Sequence, residues 1–237
     1  AVQVAWNMAR AHARMADALR AHDDDASVGV VINVGVILPD EPDDPEDVEA
    51  AQHMDYIYNT LILDAFLEGK MDMNLDGVVD TEDASVAGKT DWLGLNYYFG
   101  FKVAGFVNPL PGFEAYPFVD FFPTDLDTDP ALFADAIDIA AARGLPLYIT
   151  ENGLADPLGA DAVRFLDASL EVVRQGALEH DLRGYMYWSL MDNYEWNHGM
   201  GMLFGLYAVD LQSKERSLRP IGERYAEIVA DHGFAQD

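Results

Sequence analysis

The stretch LPLYITENG, residues 145–153, decides how this chain is expected to fold. Its apolar first half predicts a short buried β-strand, and its end places Glu151 directly before an Asn-Gly turn. A glutamate at the carboxyl end of a buried strand presents its carboxylate at the mouth of a sheet. In parallel α/β folds, ligands bind and reactions take place at that mouth.

Strand and helix patterns alternate along the rest of the chain. Strands are predicted at 28–38, 91–98, 145–150 and 183–190, and helices follow them at 44–69, 129–144, 160–179 and 220–231, with one more helix at the beginning of the chain. This alternation predicts an α/β fold with a parallel sheet under helical cover. A closed (β/α)₈ barrel needs eight strands, so four strands predict one partial barrel domain over residues 1–237. The segments 99–128 and 191–218 are expected to be long loops.

Composition excludes several classes of protein. The 237 residues carry a net charge of −28, which is incompatible with a nucleic-acid footprint and argues against binding to an anionic membrane. No cysteine is present, so neither a disulfide framework nor thiol catalysis is expected, and no compartment is indicated. No apolar stretch reaches transmembrane length. The chain opens directly in an amphipathic helix without an initiator Met, which predicts that it comes from the middle of a gene product.

Four segments, in this order, resemble family 1 of the glycoside hydrolases, the β-glucosidase family. They are residues 91–98 (DWLGLNYY), 148–153 (YITENG), 184–196 (GYMYWSLMDNYEW) and 204–210 (FGLYAVD). The resemblance implies the C-terminal half of a (β/α)₈ TIM barrel, strands 5–8 with their helices. It also implies hydrolysis of β-glycosides with retention, of the β-glucosidase or β-galactosidase type, without a cofactor for catalysis.

The same resemblance implies roles for the residues at two strand ends. Glu151 matches the nucleophile, which attacks the sugar and forms a covalent glycosyl-enzyme. Tyr98 matches the tyrosine that donates a hydrogen bond to that nucleophile, and Asn96 matches a polar residue beside it. A plainer interpretation is also open for each: Glu151 could cap a strand–helix turn, and Tyr98 could serve strand packing.

Other residues match the family's sugar subsite. Glu195 and Trp196 match the residues that grip the outer hydroxyls and the face of the sugar, and Trp188 matches the platform beneath the ring. Phe204 matches an aromatic wall of the same pocket. Core burial is the alternative for Trp188, and ordinary packing accounts equally well for Phe204.

The acid/base residue of the family is absent from this sequence. It is the glutamate of an Asn-Glu-Pro motif, and no such motif occurs here. The resemblance therefore implies that the acid/base lies upstream, and that the missing N-terminal half of the barrel is a partner of this chain, beside a β-glycoside or oligosaccharide substrate. Two alternatives remain open: a non-catalytic sugar-binding half-barrel that needs such a partner, and a transglycosidase on the same scaffold.

An acidic loop at residues 72–83 (DMNLDGVVDTED) has EF-hand spacing. Oxygen ligands fall at positions 1, 3, 5, 9 and 12, with a backbone carbonyl at position 7 and glycine at position 6. The sequence therefore predicts a structural Ca²⁺ site in an inserted loop, and an acidic solvated turn is the alternative. The predicted ligands are Asp72, Asn74, Asp76, Val78, Asp80 and Asp83.

Overall fold

The computed structural model describes residues 1–106, 120–127, 129–156 and 160–231. The β-strands are β1 (Gly29–Asn33), β2 (Val36–Pro39), β3 (Lys70–Met71), β4 (Thr81–Glu82), β5 (Trp92–Asn96), β6 (Gly100–Phe106), β7 (Asp120–Asp127), β8 (Leu147–Glu151), β9 (Leu182–Tyr185), β10 (Tyr207–Val209) and β11 (Arg216–Leu218). The α-helices are α1 (Val2–Arg20), α2 (Pro45–Asp55), α3 (Leu61–Leu63), α4 (Leu132–Ala141), α5 (Ala160–Glu179) and α6 (Pro220–Ala230). Every structural statement below refers to these residues.

The main sheet contains four parallel strands in the order β1-β5-β8-β9. Helical segments connect each of these strands to the next, as the alternating pattern predicts. The sheet is half of an eight-stranded barrel, so the predicted α/β fold class, the C-terminal half of a (β/α)₈ barrel, is confirmed. Because all four strands run the same way, their carboxyl ends meet at one edge of the sheet.

The hydrophobic core lies between this sheet and the helices. Leu93, Leu95, Leu147 and Ile149 point from the central strands toward Phe133 and Ile137 of α4, and all six side chains are fully buried or nearly so. Apolar residues on both faces of short strands are typical of a parallel sheet. No helix among the described residues is both long enough and apolar enough to cross a membrane.

The opposite face of the sheet is open. Val31 on β1 is 47% exposed, and Met186 and Leu190, which follow β9, are 51% and 60% exposed. In a closed barrel this face would be the packed interior, where bulky branched side chains dominate. The open apolar face is therefore the physical consequence of having four strands.

The helix that follows β2, α2, begins as predicted. The side chain of Asp44 accepts a hydrogen bond from the backbone N–H of Glu46 at 2.9 Å, and Pro45 occupies the first helical position. Two π-helical turns, 56–60 and 64–68, interrupt the helix before it ends at Gly69, whose φ is +65°.

Three sequence expectations need correction. The apolar run 28–38 is two strands, because β2 leaves the main sheet and pairs with β6 instead. The expected loop 99–128 contains β6 and β7, which pair antiparallel, while residues 107–119 and 128 of that loop lie outside the described residues. The strand expected at 183–190 ends at Tyr185, and the expected loop 191–218 contains the antiparallel pair β10 and β11.

Candidate active site

A carboxylate and a phenol meet at the carboxyl ends of β5 and β8. Glu151 is the last residue of β8, and Tyr98 lies two residues beyond the end of β5. The Tyr98 hydroxyl donates a hydrogen bond to Oε2 of Glu151 at 2.7 Å. The ring of Tyr98 also meets the ring of Phe204 edge to face, with 6.0 Å between the ring centroids. The structure thus brings together three residues that the sequence assigns to one site.

Tyr98 is held in its neutral form. Burial raises the pKa of Tyr98 well above its ordinary value of 10.0, and the hydrogen bond to Glu151 raises it further, followed by the nearby charges of Glu151 and Glu195. Burial disfavours a phenolate, and the two carboxylates repel it. The hydroxyl therefore keeps its proton at neutral pH and donates a hydrogen bond to Glu151.

Asn96 lies beside Glu151 in the sheet. The two residues are register partners between β5 and β8, next to a bulge in the pairing. The hydroxyl of Thr150 donates a hydrogen bond to Oδ1 of Asn96 at 2.6 Å, which fixes the side chain and leaves its amide N–H groups as donors. This contact places a polar group of the expected type next to Glu151.

Asn152 anchors the turn that follows Glu151. Its fully buried side chain donates from Nδ2 to the carbonyl oxygen of Tyr97 at 2.9 Å and accepts a hydrogen bond from the Tyr185 hydroxyl at 3.0 Å. Its own carbonyl oxygen accepts from the backbone N–H of Trp188 at 3.0 Å. A Cβ atom on Gly153 would lie 2.1 Å from the carbonyl oxygen of Trp188, so glycine is required there. Sequence reasoning took Asn152 as a turn residue and missed that it bridges three strand ends.

Glu195 and Trp188 form the second polar pair of the site. The indole Nε1 of Trp188 donates to Oε1 of Glu195 at 3.0 Å, and the Trp188 side chain is only partly buried. Trp196 is 84% exposed in a short 3₁₀ turn, with φ at +43°. The backbone N–H of Glu195 donates to the carbonyl oxygen of Gly199 at 2.7 Å, which closes that turn. Trp188 therefore contacts Glu195 at the candidate site, and its partial exposure shows that it is not buried in the core.

A buried ion pair supports the loop that carries Glu195. Both carboxylate oxygens of Asp192 lie 2.7 Å from guanidinium nitrogens of Arg219, and they also accept from the backbone N–H groups of Gly205 and Val209. Such a bidentate, fully hydrogen-bonded pair is strong and specific in its geometry. Asp192 lies within the segment 184–196 that resembles the family. Its pairing with Arg219, 27 residues further along the chain, could not be predicted from residue spacing.

The acidic loop does not form the expected calcium site. Among the described residues, no group of three or more His, Cys, Asp or Glu side chains is arranged to hold a metal ion. The buried carboxylate of Asp72 instead accepts hydrogen bonds from the backbone N–H groups of Leu75, Asp76 and Gly77 and from the Tyr56 hydroxyl.

The other acidic side chains of that loop accept hydrogen bonds from nearby residues. Asp80 accepts from Met73 and Thr81, and Asp83 accepts from Ser85. The side-chain oxygen of Asn74 accepts from the backbone N–H of Asp76, and that of Asp76 accepts from the backbone N–H of Val78. The described acidic side chains among the predicted ligands Asp72, Asn74, Asp76, Val78, Asp80 and Asp83 form no metal-binding group, so the prediction of Ca²⁺ is not supported.

Comparisons of the sequence and of the structure with known proteins all identify glycosidases as similar to this chain. The sequence model described as "Glycosyl hydrolase family 1" matches residues 1–109 and 130–234. A β-galactosidase of Pyrococcus woesei is 33% identical over 89% of this chain and 46% of its own length, and a β-glucosidase of an Agrobacterium species is 30% identical over 88% of this chain and 52% of its own length. The solved structure of a β-glycosidase from Pyrococcus horikoshii superposes with a TM-score of 0.82 and 33% identity, over 98% of this chain and 54% of that one.

The chain spans about half the length of the curated relatives it matches. The matched family model covers most of the chain, on both sides of the segment 110–129. The four sequence segments and the four parallel strands agree with that match. The chain therefore belongs to glycosyl hydrolase family 1.

Proposed function

We propose that this chain supplies the nucleophile and the sugar subsite of a retaining β-glycosidase. The hydrogen bond from Tyr98 to Glu151 is the observation that carries the proposal. In the reaction, a Glu151 oxygen attacks the anomeric carbon while the bond from that carbon to the leaving-group oxygen breaks. The second carboxyl group of the site protonates the leaving-group oxygen and then takes a proton from the water that attacks the anomeric carbon, which releases Glu151 as a carboxylate.

Tyr98 has two effects on this nucleophile. Its hydrogen bond occupies Oε2 of Glu151, fixes the rotamer and leaves Oε1 as the attacking oxygen. A hydrogen bond to a carboxylate also favours its ionised form, and only the ionised form can attack. Because the pKa of Tyr98 is raised, the phenol remains a hydrogen-bond donor at neutral pH.

The residues around Glu195 provide the sugar subsite in this proposal. A carboxylate can accept two hydroxyl protons from a sugar, and Glu195 is already oriented by Trp188. The exposed indole of Trp196 can cover the C–H face of a pyranose, while Phe204 walls the side nearest Tyr98. Asn96 donates to a hydroxyl close to the attacked carbon.

The site favours a neutral glycoside over an anionic one. Glu151 accepts a hydrogen bond from Tyr98 and Glu195 accepts one from Trp188, so two carboxylates flank the proposed subsite. Both carboxylates would repel a phosphorylated or carboxylated sugar, and the net charge of −28 on the chain would add to this repulsion. A neutral β-glucoside or β-galactoside meets hydrogen-bond acceptors instead.

The acid/base residue comes from the other half of the barrel in this proposal. Retention requires two carboxyl groups roughly 5–5.5 Å apart, one as nucleophile and one as proton donor to the leaving group. Glu195 already accepts the N–H of Trp188 on the sugar side, so we assign the proton donor to the four strands that this chain does not contain. The partner is thus the N-terminal half of the same barrel.

The test is activity of the assembled barrel. The full-length protein that carries this chain should hydrolyse 4-nitrophenyl β-glucoside or β-galactoside, and Glu151→Gln should lose at least about 10³-fold in kcat. Glu171→Gln on the exposed face of α5 is the matched control and should keep full activity. Full activity of Glu151→Gln would remove this residue from the mechanism.

A non-catalytic sugar-binding role is the second candidate, because the chain spans about half of its relatives. In that case the isolated chain would bind a β-glycoside in calorimetric titration, and the full-length protein would give no turnover. Turnover that depends on Glu151 excludes this candidate.

A further inference from the structure

Arg219 joins two segments that carry residues of the proposed sugar subsite. It directly precedes α6, and its Nη1 donates both to Oδ1 of Asp192 and to the carbonyl oxygen of Gly205, each at 2.7 Å. Its Nη2 donates to Oδ2 of Asp192 at 2.7 Å. The side chains of Arg219 and Asp192 are only 14% and 4% exposed. One guanidinium thus connects residues 192 and 205 in a place with little access for water.

Asp192 strengthens this junction from the other side. Its carboxylate also accepts hydrogen bonds from the backbone N–H groups of Gly205 at 3.1 Å and Val209 at 3.3 Å. A Cβ atom on Gly205 would lie 2.2 Å from the backbone nitrogen of Asp192, so the two segments pack backbone against backbone. The relative position of Asp192 and Gly205 is therefore fixed by side-chain and main-chain contacts together.

Two residues of the proposed subsite lie next to this junction in the chain. Phe204 immediately precedes Gly205, and Glu195 follows Asp192 by three residues. Because Phe204 meets the ring of Tyr98, its position is also tied to the phenol that holds the candidate nucleophile. A shift of either segment at the junction would move Phe204 relative to Glu195.

Trp188 is connected to the same junction through the next residue, Ser189. The backbone N–H of Ser189 donates to the carbonyl oxygen of Phe204 at 3.4 Å, and its carbonyl oxygen accepts from the N–H of Leu206 at 2.8 Å. The carbonyl oxygen of Leu206 in turn accepts from the backbone N–H of Arg219 at 2.9 Å. The start of α6 is therefore hydrogen-bonded to the segment that flanks Trp188.

The geometry of the junction requires arginine. A guanidinium presents five N–H donors in a planar fork, which here reach two carboxylate oxygens and one carbonyl oxygen. A lysine ammonium would supply the charge that the buried Asp192 needs, but it is a point charge on a flexible stem and cannot reproduce the fork. Arg219→Lys therefore changes the geometry of the junction and keeps its charge.

We propose that Arg219 is a positioning residue for the donor-sugar subsite. Its guanidinium holds Glu195 and Phe204 at the separation that lets both contact one sugar ring. Arg219 does not touch the sugar and acts through these two residues. A misplacement of about 1 Å in such a site can cost roughly 100-fold in rate. The inference rests on the proposed function, and the test separates the two.

A double-mutant cycle on the full-length protein tests this role. The substrate is a dinitrophenyl β-glycoside, whose reactive leaving group keeps slow variants measurable. Arg219→Lys should lower kcat/KM about 5- to 30-fold in the wild-type background. In the Glu195→Ala background the same change should lower it less than about 3-fold, because the main group that Arg219 positions is gone. A purely structural role would give the same fold loss in both backgrounds.

Two further variants complete the cycle. Arg224→Lys lies on the same helix, where Arg224 is paired with Asp167 at 2.8 Å, and it should keep kcat/KM within about 2-fold in both backgrounds. Asp192→Asn breaks the fork from the other side and should show the same dependence on Glu195; it replaces Arg219→Lys if that variant does not melt cooperatively.

Equal fold losses in the two backgrounds, or no loss in the wild-type background, would overturn the role of Arg219 while the proposed function stands. If the wild-type protein does not hydrolyse the substrate, the proposed function itself fails and the inference falls with it.

Discussion

The hydroxyl oxygen of Tyr98 lies 2.7 Å from Oε2 of Glu151, although 53 residues separate them in the sequence. The register of two parallel strands brings them together, because Asn96 pairs with Glu151 and Tyr98 follows Asn96 by two residues. A slip of one residue between β5 and β8 would turn the phenol to the opposite face. The sheet register and the candidate chemistry therefore depend on each other.

Removal of this hydroxyl should slow the first chemical step. A hydrogen bond to a charged group contributes about 1.5–3 kcal/mol, so Tyr98→Phe should lower kcat/KM of the full-length enzyme roughly 10- to 150-fold. Steady-state kinetics with an aryl β-glycoside measures this loss.

Tyr97→Phe is the matched control for that variant. Tyr97 faces the core and stacks on Phe133, with ring centroids 5.0 Å apart and an angle of 5° between the ring planes. Loss of its hydroxyl should leave kcat/KM within about 2-fold of the wild type, because that group does not touch Glu151. Equal losses in both variants would mean that Tyr98 acts only through the fold.

Stability should fall as the pH drops below about 6.5, because His12 is buried. Burial lowers the pKa of His12 below its ordinary value of 6.5, and the charge of Arg20 lowers it further. The unfolded chain therefore takes up a proton before the folded protein does. The contribution of His12 to the free energy of unfolding is complete above pH 6.5. It is lost as the pH falls toward the pKa of the folded state, by at most about 1.4 kcal/mol per pH unit.

Chemical unfolding at pH 7.5 and pH 5.5 measures this dependence. His12→Gln should lose less stability between the two values than the wild type does. His22→Gln, an exposed histidine two residues beyond the end of α1, is the control and should behave as the wild type. An unchanged pH dependence in His12→Gln would assign the slope to other groups.

Asp72 should stabilise the acidic loop without a metal ion. Its carboxylate accepts hydrogen bonds from three backbone N–H groups and one hydroxyl. In Asp72→Asn, the new amide NH₂ group would face some of these donors and could not accept their hydrogen bonds. We expect a loss of about 2 kcal/mol or more in the free energy of unfolding. The exposed Asp80→Asn should cost much less.

Addition of Ca²⁺ distinguishes a loop held by hydrogen bonds alone from the calcium site that the sequence predicts. Calorimetric titration and thermal melting of metal-stripped protein should show no heat of binding and no rise in Tm on addition of Ca²⁺. A rise that is abolished in both Asp72→Asn and Asp80→Asn would restore the calcium site.

The isolated chain should associate through its open face. Val31, Met186 and Leu190 expose apolar surface, and the outer edges of β1 and β9 have no partner in the described sheet. The charge of −28 opposes association, so self-association should increase with salt as the repulsion is screened. Sedimentation at low and high ionic strength measures this effect.

The matched variant for that measurement is Val31→Glu, which places a charge on the open face and should reduce association. Addition of the N-terminal half of the barrel should also suppress it. A monodisperse monomer of 26.2 kDa that melts cooperatively at all salt concentrations would contradict the half-barrel account.

The sequence allowed much of the main sheet to be predicted. Runs such as 145–150 are apolar on both faces and are bounded by turn residues, and Asp44-Pro45 marks a helix start, so local physics determines these elements. The resemblance to family 1 implied the contact between Glu151 and Tyr98, and the structure contains that hydrogen bond.

Long-range partners and oxygen orientation could not be predicted from spacing. The departure of β2 to pair with β6 depends on a contact between distant segments, and the same holds for the ion pair of Asp192 with Arg219. The EF-hand spacing at 72–83 is a local pattern. Whether its oxygens converge or accept backbone N–H groups depends on loop geometry, and here Asp72 turns to the backbone.

Covalent labelling tests the role of Glu151 most directly. A 2-deoxy-2-fluoro β-glycoside with a very acidic phenol needs little protonation of its leaving group, so its reaction with the full-length protein reports on the nucleophile almost alone. Peptide mass mapping should place one glycosyl label on Glu151, and Glu151→Gln should remain unlabelled. A label on another residue, or an equal label on the Gln variant, would contradict the account.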